Sequence, residues 1–493
     1  MRCPTPWLFI LACASCGSGS TFDESECLFH LDVTQTTASL GSDSRLTARC
    51  GRIIVPENRS HPVRNVVIPV VAFKGRNPEA PAVIYLDGGP GQSWANLGLD
   101  TLSAQDTAGL ENDFVVIEQR GAGLSVPALE CGGQRVGQSD AAYVRSCAAE
   151  FTRQGIDLSA YNILELAEDV ADLVHLLGYK KVILVGTSYG TAWAQQIMRA
   201  HSELLAGVVL DSVVSPLTPP LASGAEVTDQ AFTQLFAETG TQFGDLEQKM
   251  LVSLASLQVH PLSGDGGMTA ATFFSDSRSL LESSPLYAPA FIDLVYRSTL
   301  LGSLTFDNNL PRPTTEDLSG DISFGQYLSV ICSDDQIATS ATATTAAALV
   351  RPAFAPYLGS TAKLLAACAA WPYLKRETHS FSLVGSVVPT LLLSGEVDPL
   401  TSRQWAMQVA SALPNSTLIS VPGVGHDVAA SGLPCVTAAL SAFLAKPGQV
   451  TNNCAAITPT FMPANTFGRD RTQLLASAPP AFWPIARAHH RPR

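Results

Sequence analysis

Apolar residues along this chain form short unbroken runs that alternate with longer stretches of helical spacing. The short runs are rich in β-branched residues and are typical of strands buried on both faces of a sheet. They predict strands over 49–55, 66–73, 82–86, 114–118, 182–185, 207–210, 387–393 and 417–421. Helical spacing predicts helices over 163–177, 191–200, 403–413 and 435–444. This alternation indicates a mostly parallel, doubly wound α/β sheet with helices on both faces.

The alternation of strands and helices is interrupted between residues 216 and 386. This segment is rich in Ser, Thr, Ala and Pro and contains helical patches without a clear strand. Because the alternation resumes after it, we predict a mainly helical cap inserted into one domain. The predicted division is a core over 27–215 and 387–455, a cap over 216–386 and an irregular tail over 456–493.

The first 20 residues have the pattern of an export signal. Arg2 supplies a positive start, and the apolar run 7–12 is followed by small residues. That run is too short to span a bilayer. The letters ILAC, which end at Cys13, resemble a bacterial lipobox, in which the cysteine is lipidated; an ordinary signal cut slightly later is the alternative. We therefore predict an exported protein whose contact with a membrane is limited to a lipid anchor at Cys13.

Composition narrows the classes of partner. The chain has 493 residues, of which 46% are hydrophobic and 15% charged, so it can form a substantial core. Its formal net charge of −13 argues against a nucleic-acid partner, because phosphate binding depends on clustered Lys and Arg. An acidic surface favours solubility or the attraction of cationic substrates.

Cysteine usage agrees with export. Of the eleven cysteines, three lie in or beside the signal and eight remain. The eight fall into couples that are close in sequence, which favours nearest-neighbour disulfides in an oxidising compartment. The couples are Cys27 and Cys50, Cys131 and Cys147, Cys332 and Cys368, and Cys435 and Cys454. A zinc site is the competing interpretation, but none of these eight cysteines lies in a CxxC spacing and the sequence has no HxxxH, so no metal is predicted.

Ser188 is the candidate nucleophile. It lies in the Gly-x-Ser-x-Gly frame GTSYG, between a predicted strand and a predicted helix. At such a tight turn, Gly186 and Gly190 remove side chains that would collide with the neighbouring strand and helix. The serine hydroxyl is then exposed at the carboxyl end of the sheet. A single match to this pentapeptide is weak evidence, so the prediction depends on finding a base, an acid and an oxyanion hole.

A serine hydroxyl needs an adjacent base, and the base needs an orienting acid. Asp398 follows the predicted strand 387–393, and His426 follows the predicted strand 417–421. The chain order Ser, Asp, His is that of α/β-hydrolases. Singly, His426 could be a surface histidine and Asp398 a turn former before proline. Asp211 and Glu396 are rival acids; we prefer Asp398 because its loop immediately precedes the histidine strand, and we interpret Asp211 as a cap of the following turn.

The run GGPG at 88–91 follows the third predicted strand and is the candidate oxyanion loop. Glycines there allow the backbone to approach a substrate and to direct an amide at the developing oxyanion. Gly88 or Gly89 is the expected donor, with Gly89 preferred, together with the amide of Tyr189. Pro90 has no N–H and cannot donate. A simple Gly-Pro turn is the structural alternative.

These motifs together resemble the prolyl iminopeptidase and tripeptidyl aminopeptidase family of α/β-hydrolases. The resemblance is carried by RCGRIIVPEN, GGPG, EQRGAGLS, GTSYG, GEVDPLT and GVGH, and it covers roughly residues 45–455. The secreted branch with a tripeptidyl-aminopeptidase-like C-terminal region is the most similar. The resemblance implies an α/β-hydrolase fold, Ser188 as nucleophile, Asp398 as acid, His426 as base, and release of short units from peptide N-termini.

Two positions depart from the family pattern. The residue before GGPG is Asp87 where prolyl iminopeptidases usually have His, and the first residue of EQRG is Glu118 where Asp is usual. Both weaken the expectation of a proline-specific pocket without touching the triad. In this family, cap carboxylates recognise the free amino group of the substrate. Asp334 and Asp335 are the candidates for that role, and a solvated acidic loop is the alternative.

The sequence therefore predicts an exported serine aminopeptidase that acts on peptides with a free N-terminus. No metal or organic cofactor is implied. The same triad and oxyanion hole also serve carboxylic esters, so an esterase is the alternative within enzymes. A binding protein without catalytic activity on the same scaffold is the alternative from another class.

Overall fold

The computed structural model describes residues 20–25, 48–93, 111–132, 141–218, 220–263, 267–302, 322–334, 350–358, 361–373 and 382–463. Within these ranges, nine strands form one sheet in the order β1-β2-β3-β5-β4-β6-β7-β8-β9. The strands are β1 Thr21–Glu24, β2 Ala48–Pro56, β3 Asn65–Phe73, β4 Ala82–Leu86, β5 Phe114–Ile117, β6 Val182–Thr187, β7 Leu205–Asp211, β8 Thr390–Gly395 and β9 Ser416–Val421.

The sheet has an antiparallel edge and a parallel remainder. Strands β1, β2 and β3 are antiparallel to their neighbours, and all pairs from β5 to β9 are parallel. Every residue of β4, β6 and β8 is buried, as expected for strands covered on both faces. The predicted mostly parallel sheet is confirmed, and the carboxyl ends of β4, β6, β7, β8 and β9 lie along one edge.

Helices cover both faces of this sheet. The helices are α1 Ala141–Arg153, α2 Ile163–Leu176, α3 Tyr189–Ala200, α4 Pro220–Thr239, α5 Leu246–Val259, α6 Ala270–Ser283, α7 Ala288–Leu301, α8 Phe324–Asp334, α9 Thr361–Ala370, α10 Arg403–Ser411 and α11 Pro434–Ala445. Successive residues of β6 face different layers. Val182 and Leu184 pack in the layer of α2 and α3, whereas Ile183 and Val185 pack in the layer of α11. The sheet is therefore doubly wound. None of the described helices is both long and apolar enough to cross a bilayer.

Helices α4 to α9 all lie within the predicted cap segment, but they do not form one body. Helices α4 to α7 enclose an aromatic cluster of their own that includes Phe232, Phe273 and Phe274. In contrast, α8 and α9 pack with the main core through Leu328 and Ala367. The second part of the insertion thus belongs to the wall of the hydrolase core, and the exact cap boundaries stay a prediction.

The cysteine couples lie close in space wherever both members are described. Disulfides join Cys131 to Cys147, Cys332 to Cys368, and Cys435 to Cys454. The second of these links α8 to α9. Cys50 is also disulfide-bonded, and its predicted partner Cys27 lies outside the described residues. Residues 1–19 of the predicted export signal, including Cys13, and residues 464–493 of the predicted tail also lie outside them.

The edge strand β1 has no apolar run and was not expected from the sequence. It pairs with β2, and ion pairs between Arg49 and Glu24 and between Arg52 and Asp23 connect the two strands. A strand held by main-chain bonds and surface charges leaves no hydrophobic pattern that could predict it.

A buried guanidinium connects several parts of the main core. Arg120 is fully buried, and its Nε and Nη2 atoms donate to Asp169 of α2 at 2.7 and 2.6 Å. Its Nη1 atom donates to the carbonyls of Glu57 and Ala160 at 2.6 and 2.9 Å. The loop after β5 is thereby fixed to the end of β2 and to α2. A buried charge of this kind is stable only while its partners remain in place.

Replacing Arg120 tests this network. We expect Arg120→Met to lower the free energy of unfolding by about 3 to 5 kcal/mol, because it leaves two buried carbonyls without their donor and removes one of the two guanidinium partners of the buried Asp169, the other being Arg59. The control is Arg153→Met, which removes an exposed partner of Glu150 and should cost less than about 1 kcal/mol. Denaturant unfolding of both variants measures the difference, and equal costs would contradict a structural role for Arg120.

Candidate active site

Ser188 occupies the turn between β6 and α3, and its backbone is strained. It has φ 55° and ψ −122°, which is unusual for a residue with a side chain. A Cβ atom at Gly186 would lie 2.3 Å from the carbonyl oxygen of Gly190, and one at Gly190 would lie 2.0 Å from that of Leu86. Only glycine fits at either position, so the turn is built from the close approach of β4, β6 and α3. Ser188 itself is partly exposed.

Asp398 and His426 are brought together from two neighbouring loops. The Nδ1 atom of His426 lies 2.9 Å from Oδ2 of Asp398. Asp398 is 3% exposed, and its Oδ1 atom accepts from the amides of Leu400 and Thr401 at 2.7 and 3.0 Å. The hydroxyl of Thr401 donates to Oδ2 at 2.6 Å. These bonds fix the carboxylate so that it orients the imidazole through Nδ1 and leaves Nε2 for other chemistry.

The two side chains also fix each other's charge. Burial alone would raise the pKa of Asp398, but the contacts with His426 and Thr401 outweigh it and hold that pKa below its usual value. Burial alone would lower the pKa of His426, but the charge and hydrogen bond of Asp398 raise it to about 9, with smaller contributions from Glu282 and Asp427. The pair is therefore arranged to stabilise a protonated imidazole.

Asp211, the first rival acid, has a different role from the one predicted. Its Oδ1 and Oδ2 atoms accept from the amides of Val428 and Ala429 at 3.0 and 2.8 Å. The interpretation of Asp211 as a cap of the following turn is thus wrong: it holds the loop that carries His426. Burial and the nearby carboxylate of Asp427 raise the pKa of Asp211 well above its usual value, which makes it a poor counter-charge for an imidazolium.

The end of β7 connects this histidine loop to the turn at Ser188. The amide of Ser188 donates to the carbonyl of Asp211 at 2.9 Å. The next residue, Ser212, accepts a hydrogen bond from the amide of Asp427 at 2.8 Å through its hydroxyl. Ser188 and the residue after His426 are therefore bonded to two consecutive residues, Asp211 at the end of β7 and Ser212 directly after it.

The glycine-rich loop after β4 lies against Ser188. A Cβ atom at Gly88 would lie 3.3 Å from Cβ of Ser188. Gly88 is buried, whereas Gly89 is partly exposed and has φ 103°. Tyr189 is the first residue of α3. Of the two predicted oxyanion donors, Tyr189 thus directly follows Ser188 in the chain, and Gly89 directly follows the glycine that lies against the Ser188 side chain.

The cap contacts the histidine loop directly. The amide of His426 donates to the carbonyl of Glu282 in α6 at 2.9 Å. A Cβ atom at Gly425 would lie 2.0 Å from the carbonyl oxygen of Leu281. The absence of a side chain at Gly425 therefore allows this close packing.

A pair of carboxyl groups forms a second contact between cap and loops. Glu238 of α4 hydrogen-bonds to Glu396, the second rival acid, and accepts from the amide of Gly423 at 2.8 Å. Gln234 donates to both carboxyl groups, at 3.0 and 3.2 Å. Burial and the neighbouring Glu396 raise the pKa of Glu238 to about 7, against the hydrogen bonds from Gln234 and Gly423, which lower it. Glu396 is therefore engaged with the cap.

Of the two predicted amine-binding residues, only the backbone of Asp334 is described. The side chain of Asp334, at the end of α8, and all of Asp335 lie outside the described residues. Within the described ranges, no group of three His, Cys, Asp or Glu side chains is placed to hold a metal ion.

Two contributors to the site were missed in the sequence, namely Thr401 and Gln119. Thr401 follows Asp398 by three residues in GEVDPLT, which is the spacing of an Asx or capping interaction and could have indicated the contact. Gln119 lies inside the motif EQRG, but nothing in its spacing shows that it reaches the glycine-rich loop, to which it is bonded at Gly88 and Gly91.

Comparison with known proteins agrees with this arrangement. A family described as "alpha/beta hydrolase fold" matches residues 81–432, which contain the candidate site. The chain is 22% identical over 459 residues to the serine protease Hip1 of Mycobacterium tuberculosis, covering 80% of this chain and 85% of that protein. It is 22% identical over 446 residues to the tripeptidyl aminopeptidase of Streptomyces coelicolor, covering 81% of each. These matches confirm the resemblance expected from the motifs.

A solved structure also matches over most of the chain. It is an alpha/beta hydrolase from Novosphingobium aromaticivorans, with a TM-score of 0.36 and 17% identity, covering 81% of this chain and 98% of that one.

The pH dependence of hydrolysis tests the Asp398–His426 pair. Because a general base must be neutral and the pKa of His426 is about 9, kcat/KM for a reporter ester or anilide should rise with pH and level off above that value. Asp398→Asn should shift the midpoint to lower pH, since it removes the charge that raises the pKa, and should lower the maximal rate by about 10⁴-fold. Glu396→Gln is the control and should leave the midpoint in place; an unshifted midpoint in Asp398→Asn would count against the pair.

The carboxyl pair predicts a pH-dependent stability. Since the pKa of Glu238 is raised to about 7 in the folded state, its contribution to stability is complete below its unfolded pKa and is lost as the pH rises through 7. Glu238→Gln removes the titrating group, so the unfolding free energy of this variant should fall less steeply with pH. The two slopes should differ by at most about 1.4 kcal/mol per pH unit. Partial exposure of Glu238 makes the expected value smaller.

The measurement is denaturant unfolding of both proteins between pH 4.5 and 7.5, roughly the interval spanned by the two pKa values. Glu226→Gln, on the same helix, is the matched control and should keep the slope of the unsubstituted protein. Equal slopes in all three proteins would rule out the proton held between Glu238 and Glu396.

Proposed function

The chain belongs to the α/β-hydrolase family, and we propose that it is an exported serine aminopeptidase that releases short units from the free N-termini of peptides. The observation that carries the proposal is the bonded pair of Asp398 and His426 on loops that are tied to the turn at Ser188. A strained, partly exposed serine and an oriented imidazole, on segments bonded to the same end of β7, support nucleophilic catalysis.

In the proposed mechanism, the hydroxyl oxygen of Ser188 attacks the carbonyl carbon of the scissile peptide bond, and Nε2 of His426 takes its proton. The tetrahedral oxyanion is stabilised by the amides of Gly89 and Tyr189. His426 then gives the proton to the leaving amine as the C–N bond breaks, which leaves an acyl-enzyme. Water attacks this ester with His426 again as base. The bond between the acyl carbon and the Ser188 oxygen then breaks, His426 returns the proton to that oxygen, and the released unit carries a new carboxylate. Asp398 holds the imidazole orientation and stabilises its positive charge throughout.

Peptides are favoured over esters by the relatives and by the charge balance. The two relatives are named a serine protease and a tripeptidyl aminopeptidase, and both similarities extend over about four-fifths of the chain. A net charge of −13 favours the approach of a substrate with a protonated amino terminus. Asp334 and Asp335 of the cap remain the residues that we propose to receive this amino group.

Export is supported by the disulfides. Three cysteine pairs with known partners are joined in the described residues, and such bonds persist in oxidising compartments. Mass analysis of the mature N-terminus decides between a lipid on Cys13 and an ordinary cleavage site.

A substrate panel tests the proposed activity. Anilides of single amino acids and of tripeptides are compared with the same compounds acetylated at the N-terminus and with short acyl esters. We expect cleavage of free tripeptide or aminoacyl anilides, with acetylation reducing kcat/KM by at least about 100-fold because it removes a charge from a desolvated contact. Ser188→Ala should abolish turnover and labelling by a fluorophosphonate.

The control is Ser441→Ala, which changes a serine of α11 that bonds only within its helix and should retain full activity. Equal cleavage of free and acetylated anilides would exclude an aminopeptidase, and turnover of esters alone would identify an esterase. An unlabelled Ser188 in a folded protein would point to a binding protein.

A further inference from the structure

The side chain of Gln119 is hydrogen-bonded to the glycine-rich loop at two positions. Its Nε2 atom donates to the carbonyl of Gly88 at 2.8 Å, and its Oε1 atom accepts from the amide of Gly91 at 2.9 Å. Gln119 is 1% exposed, so these bonds do not compete with bulk water. The orientation of the amide is dictated by its partners, because a carbonyl requires a donor and an N–H requires an acceptor.

We infer that Gln119 is a positioning residue for the oxyanion hole, acting by fixing the peptide plane between Gly88 and Gly89. This inference rests on the proposed function, in which the amide of Gly89 stabilises the oxyanion. According to this inference, the buried side chain of Gln119 sets the orientation of the Gly89 amide.

The argument follows from the geometry of a peptide unit. In a planar trans peptide the C=O and the following N–H point in opposite directions. Among the described residues, cis bonds occur before Pro90 and Pro127, so the bond between Gly88 and Gly89 is trans. Holding the Gly88 oxygen towards Gln119 therefore turns the Gly89 N–H away from Gln119, and Gly89 is the partly exposed residue of the two.

The loop needs such a restraint because its own glycine residues restrict the backbone only slightly. Two consecutive glycines allow the intervening peptide to rotate with a small steric cost. In one orientation Gly89 presents its N–H at the exposed side, and in the other the carbonyl of Gly88 lies there and would repel an oxyanion. The donor at Nε2 selects the first orientation.

Gln119 is itself held rigidly. The main-chain amide of Gln119 donates to the carboxyl group of Glu118 at 3.2 Å, and its main-chain carbonyl accepts from the hydroxyl of Ser125 at 2.8 Å. The next residue is the buried Arg120 described above. On the cap side, the carbonyl of Gly91 accepts from the amide of Ser323 at 2.9 Å. The loop is thus fixed from both sides, and Gln119 provides the contact at the peptide before Gly89.

The test is Gln119→Glu, which keeps the shape of the side chain and its acceptor for Gly91 but removes the donor to Gly88. We expect kcat to fall by about 100-fold or more, which is the loss typical of one oxyanion donor, with KM within about twofold. The inhibition constant of a peptide boronic acid, which forms a tetrahedral adduct, should rise in parallel with the loss in kcat, while inhibition by the tripeptide product should not change.

The matched control is Gln195→Glu. Gln195 is also buried and donates to two carbonyls, those of Thr191 and Val214 at 3.1 and 2.9 Å, but it does not contact the glycine-rich loop. We expect a comparable loss of stability and an effect on kcat of less than about tenfold. If Gln119→Glu does not fold, Gln119→Met is measured in the same way, since it fills a similar volume without a hydrogen bond.

The outcomes separate this inference from the proposed function. Unchanged kcat in Gln119→Glu or Gln119→Met, with an active unsubstituted enzyme, would overturn the role of Gln119 alone. An equal rise in KM and in the inhibition constants of the product and of the boronic acid would also overturn it, since that pattern indicates a general disturbance of the site. Failure of the unsubstituted protein to turn over any substrate, with Ser188 unlabelled, would instead overturn the proposed function.

Discussion

The candidate site depends on the carboxyl end of β7. There, the carbonyl of Asp211 accepts from Ser188, its carboxyl group accepts from two amides of the histidine loop, and the hydroxyl of Ser212 accepts from Asp427. The serine and the histidine are more than 200 residues apart in the chain, and no helix or strand contains both. Because the serine and the loop that carries the histidine are both bonded to this pair of consecutive residues, an error in their relative position would require the breaking of several buried hydrogen bonds.

Buried polar groups therefore have a structural task in a core that is otherwise apolar. Arg120 fixes the loop after β5, and this loop carries Gln119 to the glycine-rich turn. Thr401 holds Asp398, which in turn holds His426. Arg120 and Gln119 bond to main-chain atoms of other segments, and Thr401 and Asp398 bond to side chains. In each case burial makes the bond hard to exchange for water. The groups proposed to contact a substrate are thus oriented by buried side chains that lie behind them.

Much of the fold and most of the candidate site could be predicted from the sequence, for identifiable physical reasons. Strands buried on both faces leave continuous apolar runs such as that before Ser188, and a strained turn needs the glycines around it. Contacts between a side chain and a distant main chain leave no such pattern, because any backbone amide can serve as the partner. This is why Asp211 was taken for a local cap and Gln119 was not singled out. The packing of α8 into the main core was missed for a related reason, since composition does not tell which body a helix joins.

The insertion contacts the loops around Ser188 at several main-chain groups. These contacts limit how far the insertion can be exchanged without disturbing those loops. Glu282 of α6 binds the amide of His426, Glu238 of α4 binds that of Gly423, and Ser323 binds the carbonyl of Gly91. The insertion is therefore part of the support of the loops that carry the candidate site. Exchange of the insertion for that of a relative would not act as a simple transfer of specificity, because the graft would have to reproduce these three main-chain contacts. Sequence changes in the insertion and in the loops of the candidate site therefore constrain each other in this chain.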